Sequence, residues 1–215
     1  RRDVHGVRRS LATALIVGTA GAVVFTVAAE TVPRSILGVF TTDAAVISEG
    51  TGYLRIVAWS YVFTAITIGY AHGLRSIGDT RLPMYATAIS ITLNILGNYT
   101  LIFGKFGFPA LGVDGAALST AVARLFELGL ILIVVYRRRG PTALRVVDFV
   151  SIDLPFIRSY FRRATPVILN EILWSTGFVM YTVVFARMGT SYLAAYNISD
   201  TVGRLMLVFF IGTAN

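Results

Sequence analysis

Two asparagines in an apolar stretch, Asn94 and Asn98 of NILGNYTLIFG, carry the clearest chemistry in this chain of 215 residues. They stand four residues apart, so on a helix both occupy one face. An amide taken out of water without a partner costs about 2–7 kcal/mol, and hydrocarbon supplies no partner. That face must therefore meet other protein or a water-filled cavity. Ser119 and Thr120, in a later apolar run, offer hydroxyls. Such groups either join a shared site or bond their own backbone one turn back. Glu171, beside Asn170 and three residues before Trp174, is a lone carboxylate in a third apolar run. In that setting it is a candidate to carry a proton, the alternative being a contact with Arg162 or Arg163. Asp200 and Arg204 have the (i, i+4) spacing of a self-neutralising pair, and Arg124 and Glu127 the (i, i+3) spacing of another. The chain lacks cysteine, has only His5 and His72, and shows no nucleophile–base–acid set, metal motif or nucleotide loop. Neither an enzyme activity nor a cofactor is expected.

These residues need elements to hold them, and composition indicates which. The sequence is 55% hydrophobic and 14% charged, far more apolar than a soluble domain. Six runs are long enough to cross a bilayer core of about 30 Å: 11–32, 53–74, 82–103, 113–136, 164–186 and 192–211. An all-α polytopic membrane protein with six spans is the expected fold class. Segment 33–52 reads as a short interfacial helix, with Asp43 placed to cap a helical turn. Gly78-Asp79 marks a turn, with Asp79 able to cap the helix that follows. Segment 104–115 is Gly/Pro-rich, and 137–163 carries seven arginines and two prolines. We read the latter as a linker, with Asp153-Leu154-Pro155 starting a short helix that leads into the fifth span. Arg55 reads as a snorkelling side chain. Trp59, Tyr61, Tyr70 and Trp174 suit packing, interface anchoring or cation–π contact with a cationic solute.

A net charge of +8 would suggest nucleic acid in a soluble protein. Here the cations fall in the gaps between apolar runs, which marks membrane orientation instead. Alternate gaps hold Arg1, Arg2, Arg8 and Arg9, then Arg75 and Arg81, then Arg137, Arg138, Arg139, Arg145, Arg158, Arg162 and Arg163. The opposite gaps hold only Arg34, Lys105 and Arg187. The bias puts residues 1–10, 75–82 and 137–163 in the cytoplasm of a multi-pass inner (plasma) membrane protein. The absence of Met at Arg1 and the apolar run ending at Asn215 lead us to expect a piece of a longer protein.

Several stretches in order, FTTDAAVISEGTGYLRI, LRSIGDTRLPM, NILGNYTLIFG, PALGVDGAALSTAVARLFE and RRATPVILNEILWS, resemble the multidrug and toxic compound extrusion (MATE) transporters. The resemblance covers nearly the whole chain and implies helices three to eight of a twelve-helix fold with two pseudo-symmetric lobes. On it, 1–136 would be the last four helices of the N-terminal lobe, 137–163 the interlobe linker and 164–215 the first two helices of the C-terminal lobe. It implies export of amphipathic and cationic small molecules, coupled to entry of Na⁺ or H⁺ by alternating access, in a monomer of the full-length chain.

The same resemblance assigns roles. Asn94 and Asn98 match an Asn-x-x-x-Asp/Asn pattern that helps build the N-terminal lobe's cation site, and amide oxygens suit the hard cation Na⁺. Thr120 would add a hydroxyl there. Where some members carry aspartate this chain has Asn98, which cannot titrate. Glu171 stands in the helix that carries a functional glutamate in some members. Asn170, Trp174, Tyr61 and Asp200 are the substrate-cavity candidates. Arg124 and Glu127 match an Arg-x-x-Glu pattern that we read as structural. The alternative function is flipping of a lipid-linked saccharide by a related fold; a flippase should carry basic residues inside its cavity spans, and here the arginines lie mainly in loops.

Overall fold

The computed structural model of the chain describes residues 4–150 and 152–213. Arg1 and Arg2, which enter the orientation argument, and Asn215, where the last apolar run ends, lie outside the described residues. In chain order the helices are α1 (Val4–Thr31), α2 (Pro33–Gly38), α3 (Ala44–Ser76), α4 (Arg81–Phe103), α5 (Gly112–Arg138), α6 (Val146–Val150), α7 (Leu154–Met188) and α8 (Thr190–Thr213). No strand occurs among the described residues. Five of the helices, α1, α3, α4, α5 and α7, are long and apolar enough to cross a membrane. The sixth expected span falls in α8, whose 24 residues suffice in length; Asn197, Asp200 and Arg204 dilute its apolar run.

Capping and turn chemistry set the boundaries. The Asp43 carboxylate accepts the Ala45 and Val46 N–H groups at 2.9 and 3.4 Å and starts α3. The interfacial helix expected over 33–52 is in fact only α2; residues 44–52 belong to α3, which runs on for 33 residues. Gly50 and Gly52 lie within it, and each faces a neighbour at close range: Leu37 against Gly50 and Asp114 against Gly52. Asp79 accepts the Leu82 N–H at 3.2 Å, and its other oxygen accepts Arg138 at 2.8 Å, so the α3–α4 turn is tied to the end of α5. Asp153 accepts the Phe156 N–H at 3.1 Å and starts α7, with Pro155 in the first turn where its missing N–H costs nothing. The separate short helix expected there does not form. The chain continues through Pro166 to Met188 as one helix of 35 residues.

Helices α1, α3, α4 and α5 make the packed body. Their core gathers at one end around Leu11, Leu15, Tyr70, Leu74, Ile131 and Val135. Mid-span, the Thr26 hydroxyl donates to the Ala58 carbonyl of α3 at 2.9 Å. Arg8 donates to the Pro141 carbonyl at 3.1 Å, while Arg9 pairs with Asp153 and lies 4.4 Å over the Phe156 ring. Desolvation pushes the Asp153 carboxyl up, but the Phe156 N–H and the Arg9 guanidinium outweigh it and hold that carboxyl below its ordinary range. The N-terminal end of α1, the Asp79 turn and the 137–163 segment therefore share one end of the molecule. Helices α7 and α8 pack on each other, with Phe185 stacked on Tyr196 at 4.7 Å, and α7 has no buried residue.

Close approach of α4 and α5 depends on glycine. A methyl group on Gly115 would sit 2.7 Å from the Leu101 carbonyl oxygen, and one on Gly97 would sit 2.3 Å from Ser119 Oγ. The serine can rotate away, but the backbone carbonyl cannot. Gly115→Ala is therefore expected to destabilise the fold by about 1–3 kcal/mol. A thermal melt in detergent reads this as a lowered Tm, and an unchanged Tm would show that the helices part without cost.

Candidate polar site between two helices

Helices α4 and α5 run antiparallel, and polar side chains line their interface at regular levels. At the level nearest the core end, the Thr87 hydroxyl donates to Glu127 Oε1 at 2.7 Å. One turn along, Ser90 donates to the Ala123 carbonyl at 3.0 Å. At the next level the Asn94 amide nitrogen donates to Ser119 Oγ at 3.4 Å and to Thr120 Oγ1 at 3.2 Å. The two hydroxyls pass their own protons to backbone: Ser119 to the Asn94 carbonyl at 3.0 Å, Thr120 to the Ala116 carbonyl at 2.9 Å. Thr120 thus bonds its own turn and also accepts from Asn94. Asn98 donates to Asn94 Oδ1 at 3.3 Å.

One atom of this cluster is left over. Asn98 Oδ1 is buried without a hydrogen-bond partner. A buried acceptor with nothing to accept is costly, about 1–3 kcal/mol, and a hard cation is one kind of partner its oxygen chemistry suits. Asn94, Asn98 and Thr120 are brought together as one hydrogen-bonded group, with Ser119 added.

The remaining candidates lie elsewhere. Glu171, Asn170 and Trp174 are exposed on α7. Glu171 borders a groove of about 510 Å³ with Val167, Ile168, Ser175 and Thr176. Its pairing with Arg162 or Arg163 is not made, and among the described residues Glu171 has no ion pair. Trp174 sets its ring edge-on to Phe178 at 4.7 Å. Tyr61 is edge-on to Phe25 of α1 at 5.4 Å. Asp200 pairs with Arg204 at 2.7 Å, and that guanidinium lies 5.8 Å from the Phe178 ring. Arg55 meets Glu30 at 3.9 Å.

Thr87 and Ser90 went unnoticed in the sequence. The signal was available: Thr87, Ser90, Asn94 and Gly97 recur at three- and four-residue steps, which is a small and polar stripe along one helix face.

Residues 1–100 match the family model described as MatE. A probable multidrug resistance protein NorM of Thermotoga maritima is 30% identical over 158 residues, which cover 74% of this chain and 34% of that protein. A probable multidrug resistance protein YoeA of Bacillus subtilis is 27% identical over 169 residues, covering 78% of this chain and 36% of that one. The chain thus spans about a third of the length of these curated relatives. Among solved structures, a MOP superfamily transporter from Pyrococcus furiosus superposes with a TM-score of 0.74 at 17% identity, over 97% of this chain and half of that one. An inward-facing multidrug resistance MATE family transporter superposes with a TM-score of 0.61 at 17% identity, over 74% of this chain and 40% of that chain.

Proposed function

We propose that this chain, which belongs to the MatE family, forms the middle of a multi-pass efflux transporter that exports amphipathic, cationic small molecules against an ion gradient. In this reading residues 1–136 complete an N-terminal lobe, 137–163 link the lobes and 164–215 open a C-terminal lobe. The lobes alternate access to a central cavity, and a monomer of the full-length chain is the working unit. Residues 1–10, 75–82 and 137–163 face the cytoplasm, and the contacts of Arg8, Arg9 and Arg138 that gather those segments at one end support that assignment. Lipid and the exported solute are the partners; nucleic acid is not.

The observation that carries the coupling is the buried, unpaired Asn98 Oδ1 in a cluster with Asn94, Ser119 and Thr120. Amide and hydroxyl oxygens are the donors a hard cation prefers. Asn98 cannot bind and release a proton, so Na⁺ fits this cluster better than H⁺. Binding shifts the lobes only by the difference in affinity between the two states. Asn170, Trp174, Tyr61 and Asp200 are assigned to the substrate cavity.

A second reading places proton coupling at Glu171, supported by a carboxylate in an apolar span without a cationic partner. Dye efflux from proteoliposomes of the full-length transporter, with Na⁺ and pH gradients imposed separately, distinguishes the two. We expect the Na⁺ gradient to drive efflux. A dye flux indifferent to both gradients removes the antiporter, and leaves lipid-linked saccharide flipping as the competing function of the fold.

A further inference from the structure

Glu127 is a carboxylate only 2% exposed, in the middle of a membrane-spanning helix, and the coupling described above does not use it. Arg124, one turn earlier on the same helix, neutralises it at 2.8 Å. That pair does not account for the second oxygen, which accepts the Thr87 hydroxyl of α4 at 2.7 Å. Thr87 is unusual among the threonines of this helix. Thr92 and Thr100 return their protons to their own backbone, at Ala88 and Gly97, whereas Thr87 sends its proton across the interface. Gly97 and Gly115 already bring the backbones of α4 and α5 close at other levels of this interface. The best-attested use of a buried ionic group in a packed interface is to select register.

We propose that Glu127, through Thr87, is a positioning residue that fixes the register of α4 on α5 and so holds Asn94 and Asn98 in place for the coupling cation. The argument is geometric. Thr87 lies seven residues before Asn94, and Glu127 seven residues after Thr120, about 10.5 Å along each axis. The antiparallel helices therefore carry two matched contacts, Thr87 with Glu127 and Asn94 with Thr120, two turns apart on both sides. A slip of α4 that frees Thr87 also takes the Asn94 amide off its two hydroxyls. Asn98 Oδ1 would then gain a partner or reach water, and the site would lose its preformed acceptor. Groups that orient ligands without touching the ion typically change its affinity by about 10–100-fold when removed. This inference rests on the cation reading of the cluster.

The test is a NaCl titration of dye efflux by the full-length transporter in proteoliposomes. Thr87 is an exposed residue, and valine matches threonine in shape while lacking the hydroxyl. T87V is expected to raise the half-saturating Na⁺ concentration roughly tenfold with the maximal rate changed by less than about twofold, and T87S to restore it, since serine keeps the hydroxyl. If T87V fails to reach the membrane, T87A is titrated in its place. A lower Tm with unchanged half-saturation would make the contact mere scaffolding and overturn the inference. Wild-type efflux that ignores Na⁺ overturns the cation site itself and this inference with it; Na⁺-dependent wild type with an unshifted T87V overturns this inference alone.

Discussion

Asn94→Leu is expected to weaken the Na⁺ dependence of efflux at least tenfold while leaving the protein folded. The side chain makes three hydrogen bonds, to Ser119, to Thr120 and from Asn98. Two of those partners survive its loss, because Ser119 and Thr120 also donate to backbone carbonyls that the substitution leaves in place. Only the Asn98 amide is stranded, at about 1–3 kcal/mol, and leucine recovers part of that by apolar contact. The site suffers more than the fold, since the Asn94 oxygen goes and Asn98 is no longer held. A rise of at least tenfold in half-saturating Na⁺, about 1.4 kcal/mol of lost binding, is the expected result of the NaCl titration. Wild-type Na⁺ dependence in this variant would move the cation site elsewhere. The variant therefore separates an asparagine that binds an ion from one that only holds two helices together, which are the two roles an amide in a membrane helix can have.

Glu171→Gln carries the second large effect. Glutamine keeps the size and hydrogen-bonding of the side chain but cannot bind and release a proton. On α7 the group lacks an ion pair among the described residues and borders an apolar groove, so nothing in its contacts depends on the charge for folding. If Glu171 couples transport to protons, drug resistance driven by a pH gradient is abolished in the variant, while expression and efflux driven by Na⁺ persist. Export at the wild-type rate under a pH gradient strikes Glu171 from the coupling residues. Read together with Asn94→Leu, the pair of variants assigns coupling to the cluster between α4 and α5, to Glu171 on α7, or to both.

Much of the architecture was legible before any coordinates. Apolar runs of 18 or more residues report helices because a bilayer leaves the backbone no other way to satisfy its hydrogen bonds. Asp43, Asp79 and Asp153 were readable as caps, and each accepts backbone N–H groups as expected. Helix lengths were not legible. Hydropathy reports only the part of a helix that lies in lipid, whereas the helix itself runs from cap to breaker. So α1 begins by Val4 rather than 11, α3 absorbs 44–52, and α7 starts ten residues before its expected span at 164. Pro166 was no obstacle to α7.

What the sequence determined by itself was the class of molecule and the identity of the odd polar residues, because each follows from composition and spacing along one helix; the family came from the likeness of whole ordered stretches to known transporters. It placed Asn94 and Asn98 on one face and required a partner for them. What only the tertiary structure decided was which partner. Thr87 with Glu127, Asn94 with Ser119 and Thr120, and Gly97 against Ser119 are pairings between α4 and α5. They depend on the register of one helix along another, and periodicity within either helix is unchanged by a slip between them. The same slip decides whether Asn98 Oδ1 is satisfied or left unpaired, and hence whether two asparagines amount to adhesion or to a site.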